Sequence, residues 1–355
     1  VKVCVAMSGG VDSSVAAALL LEQGHELVGV HMKLHDAQPT RGDGSDGKHC
    51  CGLDEALDAR AVAHALGFPF FVMDLREAFR RAVMDDLADT YLSGATPNPC
   101  VRCNGVLKFQ VLLQRARALG CSHLATGHYA RISPQGGLRM AADPSKDQSY
   151  FLFPVGPEAL ARSLFPLGGL HKTEVRAHAR RLGLPVADKA ESQEICFIPD
   201  DDHARFVAAH RPAASGAGEI VDEGGAVLGH HDGYWRFTVG QRRGLGVSVG
   251  EPVYVLSIDP DSHRVVVGPP GRLLHHRIRV RDFHWQRRPA AREQPLARVR
   301  HRGTLLPCEL GSTDDAGGLD LHLLAPARAA TRGQALVLYA GEDVLGGGWI
   351  QEVSA

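Results

Sequence analysis

No stretch of this 355-residue chain has the apolar run that a membrane span requires. The opening VKVCVAMSGG is a five-residue apolar strand pattern, not the longer apolar core of a secretory signal. A membrane-bound or exported protein is therefore not expected, and the chain reads as cytoplasmic. An excess of one charge is missing too: 39 Lys and Arg stand against 40 Asp and Glu. That balance excludes a generally polycationic protein and leaves a local basic patch as the means of meeting an acidic partner. There is no internal repeat, no GxGxxG dinucleotide turn, and no phosphate loop in which Lys-Ser or Lys-Thr follows a Gly at the required distance.

What is present points to more than one domain. A chain of this length, 44% hydrophobic, exceeds what one core usually organises. In the first half, short apolar runs at 2–7, 26–33, 69–75 and 123–127 alternate with helical patterns at 14–23, 53–66, 76–92 and 107–119. Such alternation predicts an α/β domain whose open parallel sheet carries helices on both faces and gathers ligands at the strand C-terminal ends. After Cys196 a helix-like piece at 201–209 runs into RPAASGAGEI, a Pro/Gly/Ser-rich boundary. Beyond it YWRFTV, PVYVLSI, HRVVVG, RIRVRDFHW, LARVRHR, LDLHLL and QALVLYA read as strands of small barrel-like domains. The breaks at 268–271 divide that half, so the expected domains are 1–205, 206–271 and 272–355.

The loop after the first strand, SGGVDSS, lies where such a sheet delivers ligands. Gly9 and Gly10 let backbone N–H groups turn inward, and Ser8, Ser13, Ser14 and the positive helix end complete an anion nest. An isolated Gly-Gly pair would be read as a tight turn capped by Asp12 or Ser13, but the whole string in register favours a phosphate site. Eight cysteines need their own account: Cys4, Cys50, Cys51, Cys100, Cys103, Cys121, Cys196 and Cys308. In a cytoplasmic chain they should be mainly reduced. Cys4 and Cys121 fall in or beside core strands and Cys308 in the distal β region, as small hydrophobes would. In NPCVRCN, Cys100 and Cys103 could be half of a metal site, a disulfide or working thiols. A zinc site would have to recruit His49, Cys50 or Cys51, since no second C-x-x-C exists. A three-thiolate iron–sulfur cluster on Cys100, Cys103 and Cys196 is the other metal reading.

SGGVDSS resembles the pyrophosphatase loop (PP-loop) of enzymes that cleave ATP between its α and β phosphates, on an adenine nucleotide alpha hydrolase-like fold. TPNPCVRCN (96–104), ATGHYAR (125–131), KDQSYFL (146–152), ESQEICFI (191–198), GQRRGLG (240–246) and LGGGWI (345–350) follow in order. Together they resemble the tRNA-specific 2-thiouridylase family over almost the whole chain. The resemblance implies a PP-loop catalytic domain followed by two tRNA-contacting β domains. It also implies that the wobble uridine's C2 oxygen would be adenylylated by ATP with Mg²⁺, that a persulfide on Cys196 would replace that oxygen by sulfur, and that Cys103 would form a disulfide with Cys196. The resemblance also implies a persulfide sulfur-donor protein as partner. It places Ala6, Met7, Ser8, Gly9, Gly10, Val11, Asp12, Ser13, Met32 and Gly127 around the nucleotide. Asn98, Pro99, Cys100, His128, Lys146, Asp147, Gln148, Arg300, His301 and Gln334 are placed against the tRNA. Some members carry Asp where this chain has Cys100, which leaves the acid/base role there unassigned. From Arg272 to Arg302, ten arginines face only Asp282 and Glu293, a footprint suited to phosphates.

Overall fold

The structure is a computed structural model that describes residues 1–36, 53–190, 195–198, 202–314 and 316–355. His49, Cys50 and Cys51, weighed above as metal ligands, lie outside the described residues, as do residues 191–194 of the ESQEICFI string. The chain forms two compact units.

The first unit comprises residues 1–83, 100–201 and 342–344. Its strands β1 (Lys2–Ala6), β2 (Glu26–Lys33), β3 (Phe70–Asp74) and β4 (His123–Ala125), with the short strand Ser163–Leu164, form one parallel sheet. The spatial order is β3, β2, β1, β4, then Ser163–Leu164. The order reverses between β1 and β4, the kind of switch point at whose C-terminal strand ends open parallel sheets bind ligands. Helix α1 (Val11–Glu22) begins directly after β1 because Gly10 takes an extended cap conformation and VDSSVAAALLLE is rich in strong helix formers. Val15, Ala16 and Leu20 of α1 pack on Val3, Val5 and Leu27 of the sheet and on Ala59 and Val62 of helix α2 (Leu53–Leu66). Each large apolar side chain in such a core contributes about 1.5–3 kcal/mol.

The second unit comprises residues 84–99, 202–341 and 345–355. One sheet runs Tyr254–Asp259, Arg264–Gly268, Gly218–Val221, Val227–His231. Six further strands, Leu274–Trp285, Leu319–Arg328, Leu306–Thr313, Leu296–Arg298, Ala335–Ala340 and Asp343–Ser354, close into a barrel through pairing of the first with the last. Its core includes Ile278, Val280, Leu321, Leu323, Leu336 and Leu338.

One expectation is corrected. YWRFTV is not a strand: Tyr234–Arg236 is a 3₁₀ turn whose two aromatic rings are buried, and the Tyr234 hydroxyl donates to Leu92 O at 2.7 Å. Tertiary burial of the rings overrides their β propensity. The helical pattern at 76–92 is met by one unbroken helical run, Arg76–Phe79, Arg80–Met84 and Asp85–Leu92, and residues 84–99 group with the second unit. His210 and Arg211 hold Asp85 at 2.8 and 3.0 Å, and Arg211 also holds Asp89 at 2.9 Å.

Candidate active site

The SGGVDSS loop is built as the strand-to-helix turn requires. Gly9 has φ +72°, and a Cβ there would lie 2.3 Å from Glu55 O, so only glycine fits. Ser13 and Ser14 are buried and serve the loop itself. Ser13 Oγ accepts from Ser8 N at 3.2 Å and donates to Gly10 O at 3.2 Å, and Ser14 Oγ donates to Gly10 O at 2.8 Å. Ser8 is the exposed hydroxyl, and no side chain caps the α1 N-terminus. Ala6, Met7 and Val11 are buried beneath the loop, with Met7 O held 3.0 Å from His31 Nδ1. Burial of His31 lowers its pKa, so the ring stays neutral. Met32 is half-buried on β2, paired with Met73 of β3.

Two lysines that no sequence pattern marks reach this loop. Lys172 Nζ lies 2.7 and 2.9 Å from the two Asp12 carboxylate oxygens, and Tyr129 OH donates to Asp12 Oδ1 at 2.8 Å. Lys189 Nζ donates to Gly9 O at 3.1 Å and to Asp58 at 2.6 Å. Only the fold brings positions so far along the chain back to the first loop.

The segment after β4 joins the phosphate loop to the thiols. A Cβ on Gly127 would come within 2.7 Å of Ser13 N and 2.9 Å of the Asp12 carbonyl carbon, so glycine lets this segment press on the start of α1. His128 is buried, its Nδ1 is 2.7 Å from Thr126 Oγ1 and its Nε2 is 3.4 Å from Lys108 Nζ. Burial, then the Lys108 charge, lowers its pKa well below the usual imidazole value, so it is neutral. An ammonium can only donate; Nε2 is therefore the acceptor and Nδ1 carries the hydrogen.

Pro99 opens a helical run, a position its fixed φ favours. The run passes from α geometry over Pro99–Arg102 to a π-helix over Cys103–Leu112 and returns to α over Leu113–Ala118. Cys100 is exposed and Cys103 half-buried, and both are free thiols. The surrounding protein nevertheless pushes the Cys100 thiol up to about 11 and Cys103 up to about 12, with Lys108 pulling both back down. Cys196 is half-buried and near enough for its charge to oppose ionisation of both thiols. Its loop is fixed by burial of Phe197 and Ile198, with Phe197 set edge-on to Phe79 at 5.2 Å. Among the described residues no group of three or more His, Cys, Asp or Glu side chains is placed to hold a metal ion. The cluster reading on Cys100, Cys103 and Cys196 therefore lacks geometric support.

Other residues expected at the tRNA are engaged in holding backbone. Asp147 is buried and accepts from Ala141 N and Ser149 N at 3.0 and 3.2 Å. Gln148 Oε1 accepts from Tyr129 N at 2.9 Å, and Lys146 N donates to Asp143 O at 3.1 Å. In the second unit Gln334 Nε2 donates to Pro97 O at 2.9 Å, just ahead of the buried Asn98 and Pro99. Arg300 is exposed and His301 half-buried in a turn closed by Gly303 N to Arg300 O at 3.0 Å. Arg302 there takes φ +60°, a conformation that costs a side-chain-bearing residue about 1–3 kcal/mol and clusters at functional sites. The arginine footprint is narrower than the count from Arg272 to Arg302 implies. Arg272 pairs with Glu223, Arg279 with Asp314 and Asp320, Arg281 with Asp282 and Arg287 with Glu293. Arg298 is buried, its guanidinium 4.9 Å from the Tyr339 ring centroid. Among the described residues no ion pair holds the exposed Arg277, Arg288, Arg292, Arg300 or Arg302.

A parallel sheet with a glycine loop at its switch point, followed by β modules, is the architecture of a nucleotide-binding class of multidomain protein. Family models match in the same order: a tRNA methyl transferase HUP domain over residues 1–200, a tRNA methyl transferase PRC-barrel domain over 204–269 and an aminomethyltransferase β-barrel domain over 275–350. A tRNA-specific 2-thiouridylase MnmA of Geobacter metallireducens is 49% identical, covering 98% of this chain and 96% of that one. The protein of that name from Methylorubrum extorquens is 48% identical over 100% and 94%. Among solved structures, a 4-thiouridine synthetase–RNA complex with bound ATP aligns with 59% of this chain and 50% of its own, at 17% identity and a TM-score of 0.37. The chain belongs to the tRNA-specific 2-thiouridylase family, whose members are tRNA-modifying enzymes.

Proposed function

We propose that this enzyme uses ATP to replace the C2 oxygen of a tRNA wobble uridine by sulfur. The observation that carries the reading is the Gly127–His128–Tyr129 string. Gly127 presses on Ser13, Tyr129 binds Asp12, and His128 between them binds Lys108, five residues after Cys103. Consecutive residues are about 3.8 Å apart, so the phosphate loop and the thiol helix meet across one short segment. A nucleotide site beside cysteines suits activation of an oxygen followed by its displacement by sulfur. It gives no reason for a methyl donor, despite the description of two family models.

The loop N–H groups and the α1 N-terminus would take the phosphates of ATP. Mg²⁺ travelling on those phosphates needs only one or two carboxylates, and Asp12 fits that need; Lys172 occupies its carboxylate here. The uridine C2 oxygen attacks the α phosphorus, and pyrophosphate leaves. Cys196 carries sulfur delivered by a donor protein as Cys196–S–SH. In one route the terminal sulfur attacks C2 and AMP departs. Cys103 then attacks the Cys196 sulfur, freeing the thiolated base and forming a Cys103–Cys196 disulfide. In the other, Cys103 first attacks the Cys196 sulfur, forming the same disulfide and releasing hydrosulfide, which displaces AMP from C2. An external dithiol restores both thiols. Incubating the purified enzyme with tRNA, α-labelled ATP and a persulfide donor should give AMP and 2-thiouridine in equal amounts. ADP in place of AMP, or methylated uridine, would overturn the reading.

The tRNA would be held by the arginines that have no acidic partner. Arg300→Ala with Arg302→Ala should weaken tRNA binding and reduce the slope of log K against log salt by about one for each phosphate no longer neutralised. Arg279→Ala should leave that slope unchanged, because Asp314 and Asp320 already hold this guanidinium. Titration at several salt concentrations distinguishes them, and equal slopes in all variants would remove the Arg300–Arg302 turn from the interface.

A further inference from the structure

The helix that bears the thiols keeps π geometry for ten residues, Cys103–Leu112. π turns are normally single and recur at functional sites. Their i→i+5 hydrogen bonds set residues five apart on adjacent turns of one face, as Cys103 and Lys108 are. In an α-helix the same separation would turn the second residue away by about 140°. Lys108 is half-buried, with its ammonium on His128 Nε2. His128 is itself fixed by Thr126 and by edge or tilted contacts with Phe165 and Phe109. A neutral imidazole accepts from Lys108 without cancelling its charge, and among the described residues no carboxylate pairs with it.

We propose that Lys108 is the positioning residue that supplies the counter-charge for a thiolate at Cys103, an inference that rests on Cys103 being a working thiol. Cys103 gives its proton to water, Lys108 keeps its own, and the charge left on Sγ faces the ammonium across one π turn. The arrangement answers a definite need. Burial opposes ionisation of Cys103 most, and the Cys196 and Cys100 thiols add to that opposition, while Lys108 is the group that favours it. The π register puts the cation on the thiol's face, and His128 holds it there.

The test is peptide-resolved mass spectrometry of iodoacetamide labelling of the full-length protein, without ATP or tRNA, from about pH 7 to about pH 10. Lys108→Met should slow alkylation of Cys103 near pH 8 about ten-fold, the equivalent of one pKa unit. Lys108→Arg, which keeps the charge, should stay within about two-fold of the parent. Lys108→Gln is the second neutral variant should Lys108→Met fold poorly, and it should behave as Lys108→Met does. Parental alkylation rates in folded neutral variants, or equal slowing in the arginine variant, would overturn the proposal. Labelling does not depend on turnover, so its outcome is separate from that of the thiolation reading. Full 2-thiouridine formation by Cys103→Ser would sink that reading, and with it the role assigned to Lys108.

Discussion

Cys196→Ser is expected to abolish 2-thiouridine formation completely while ATP-dependent adenylylation of the tRNA continues. A hydroxyl can neither accept nor carry transferable sulfur, whereas in the proposed scheme activation of the uridine oxygen would use the glycine loop at the start of α1. The substitution should cost little stability, because the half-buried Cys196 is followed by the buried Phe197 and Ile198, which anchor its loop. Cys103→Ser should fail differently. Sulfur should still load on Cys196, and mass spectrometry should find the persulfide with little thiolated tRNA, since serine cannot form the disulfide that ends either route. Cys100→Ser should retain part of the activity, because the exposed Cys100 has no step in this scheme. Equal loss in all three variants, with iron in anaerobically purified protein, would replace the persulfide scheme by a metal-bound sulfur.

Asp12→Ala should lower AMP formation by about a hundred-fold or more, the scale on which phosphoryl-site charges act, and leave tRNA binding unchanged. The Asp12 carboxylate is about one-third exposed, but its partner Lys172 is only 11% exposed, so removing Asp12 leaves a largely buried ammonium unpaired and should lower stability by about 1–3 kcal/mol. A thermal melt and an AMP assay on the same preparation separate the two effects. Near-normal AMP formation by a well-folded Asp12→Ala enzyme would sink the assignment of this loop to ATP. Gly127→Ala offers an independent approach to the same site. It alters no charge, yet its Cβ would drive the segment after β4 off Ser13 N. It should impair AMP formation and also disturb the Lys108–His128 contact.

Local chemistry made much of the fold legible along the chain. The β2 and α2 boundaries follow from the apolar run at 26–33 and the Leu/Ala pattern at 53–66, because strand and helix periods are properties of ten or so neighbouring residues. The glycine loop after β1 was legible for the same reason: a glycine turn between a strand and a helix is local. YWRFTV misled because aromatic propensity cannot show which rings the tertiary structure will bury. The arginine count from Arg272 to Arg302 misled because Glu223, Asp314 and Asp320 lie outside that window and meet it only through strand pairing and packing.

The sequence by itself determined the α/β order of the first half, the place of the glycine loop after β1, and the family. These depend on short-range patterns and on strings of residues in register. Tertiary structure alone decided which groups act on one another. It brought Lys172 to Asp12, Cys196 to Cys100 and Cys103, and His128 to Lys108. It also turned Ser13, Ser14, Asp147 and Gln334 toward backbone. The physical reason is that hydrogen bonds and charges act over a few ångströms in space. Residues separated by about 90 or 160 positions along the chain become neighbours only when a parallel sheet returns its strand ends to one edge.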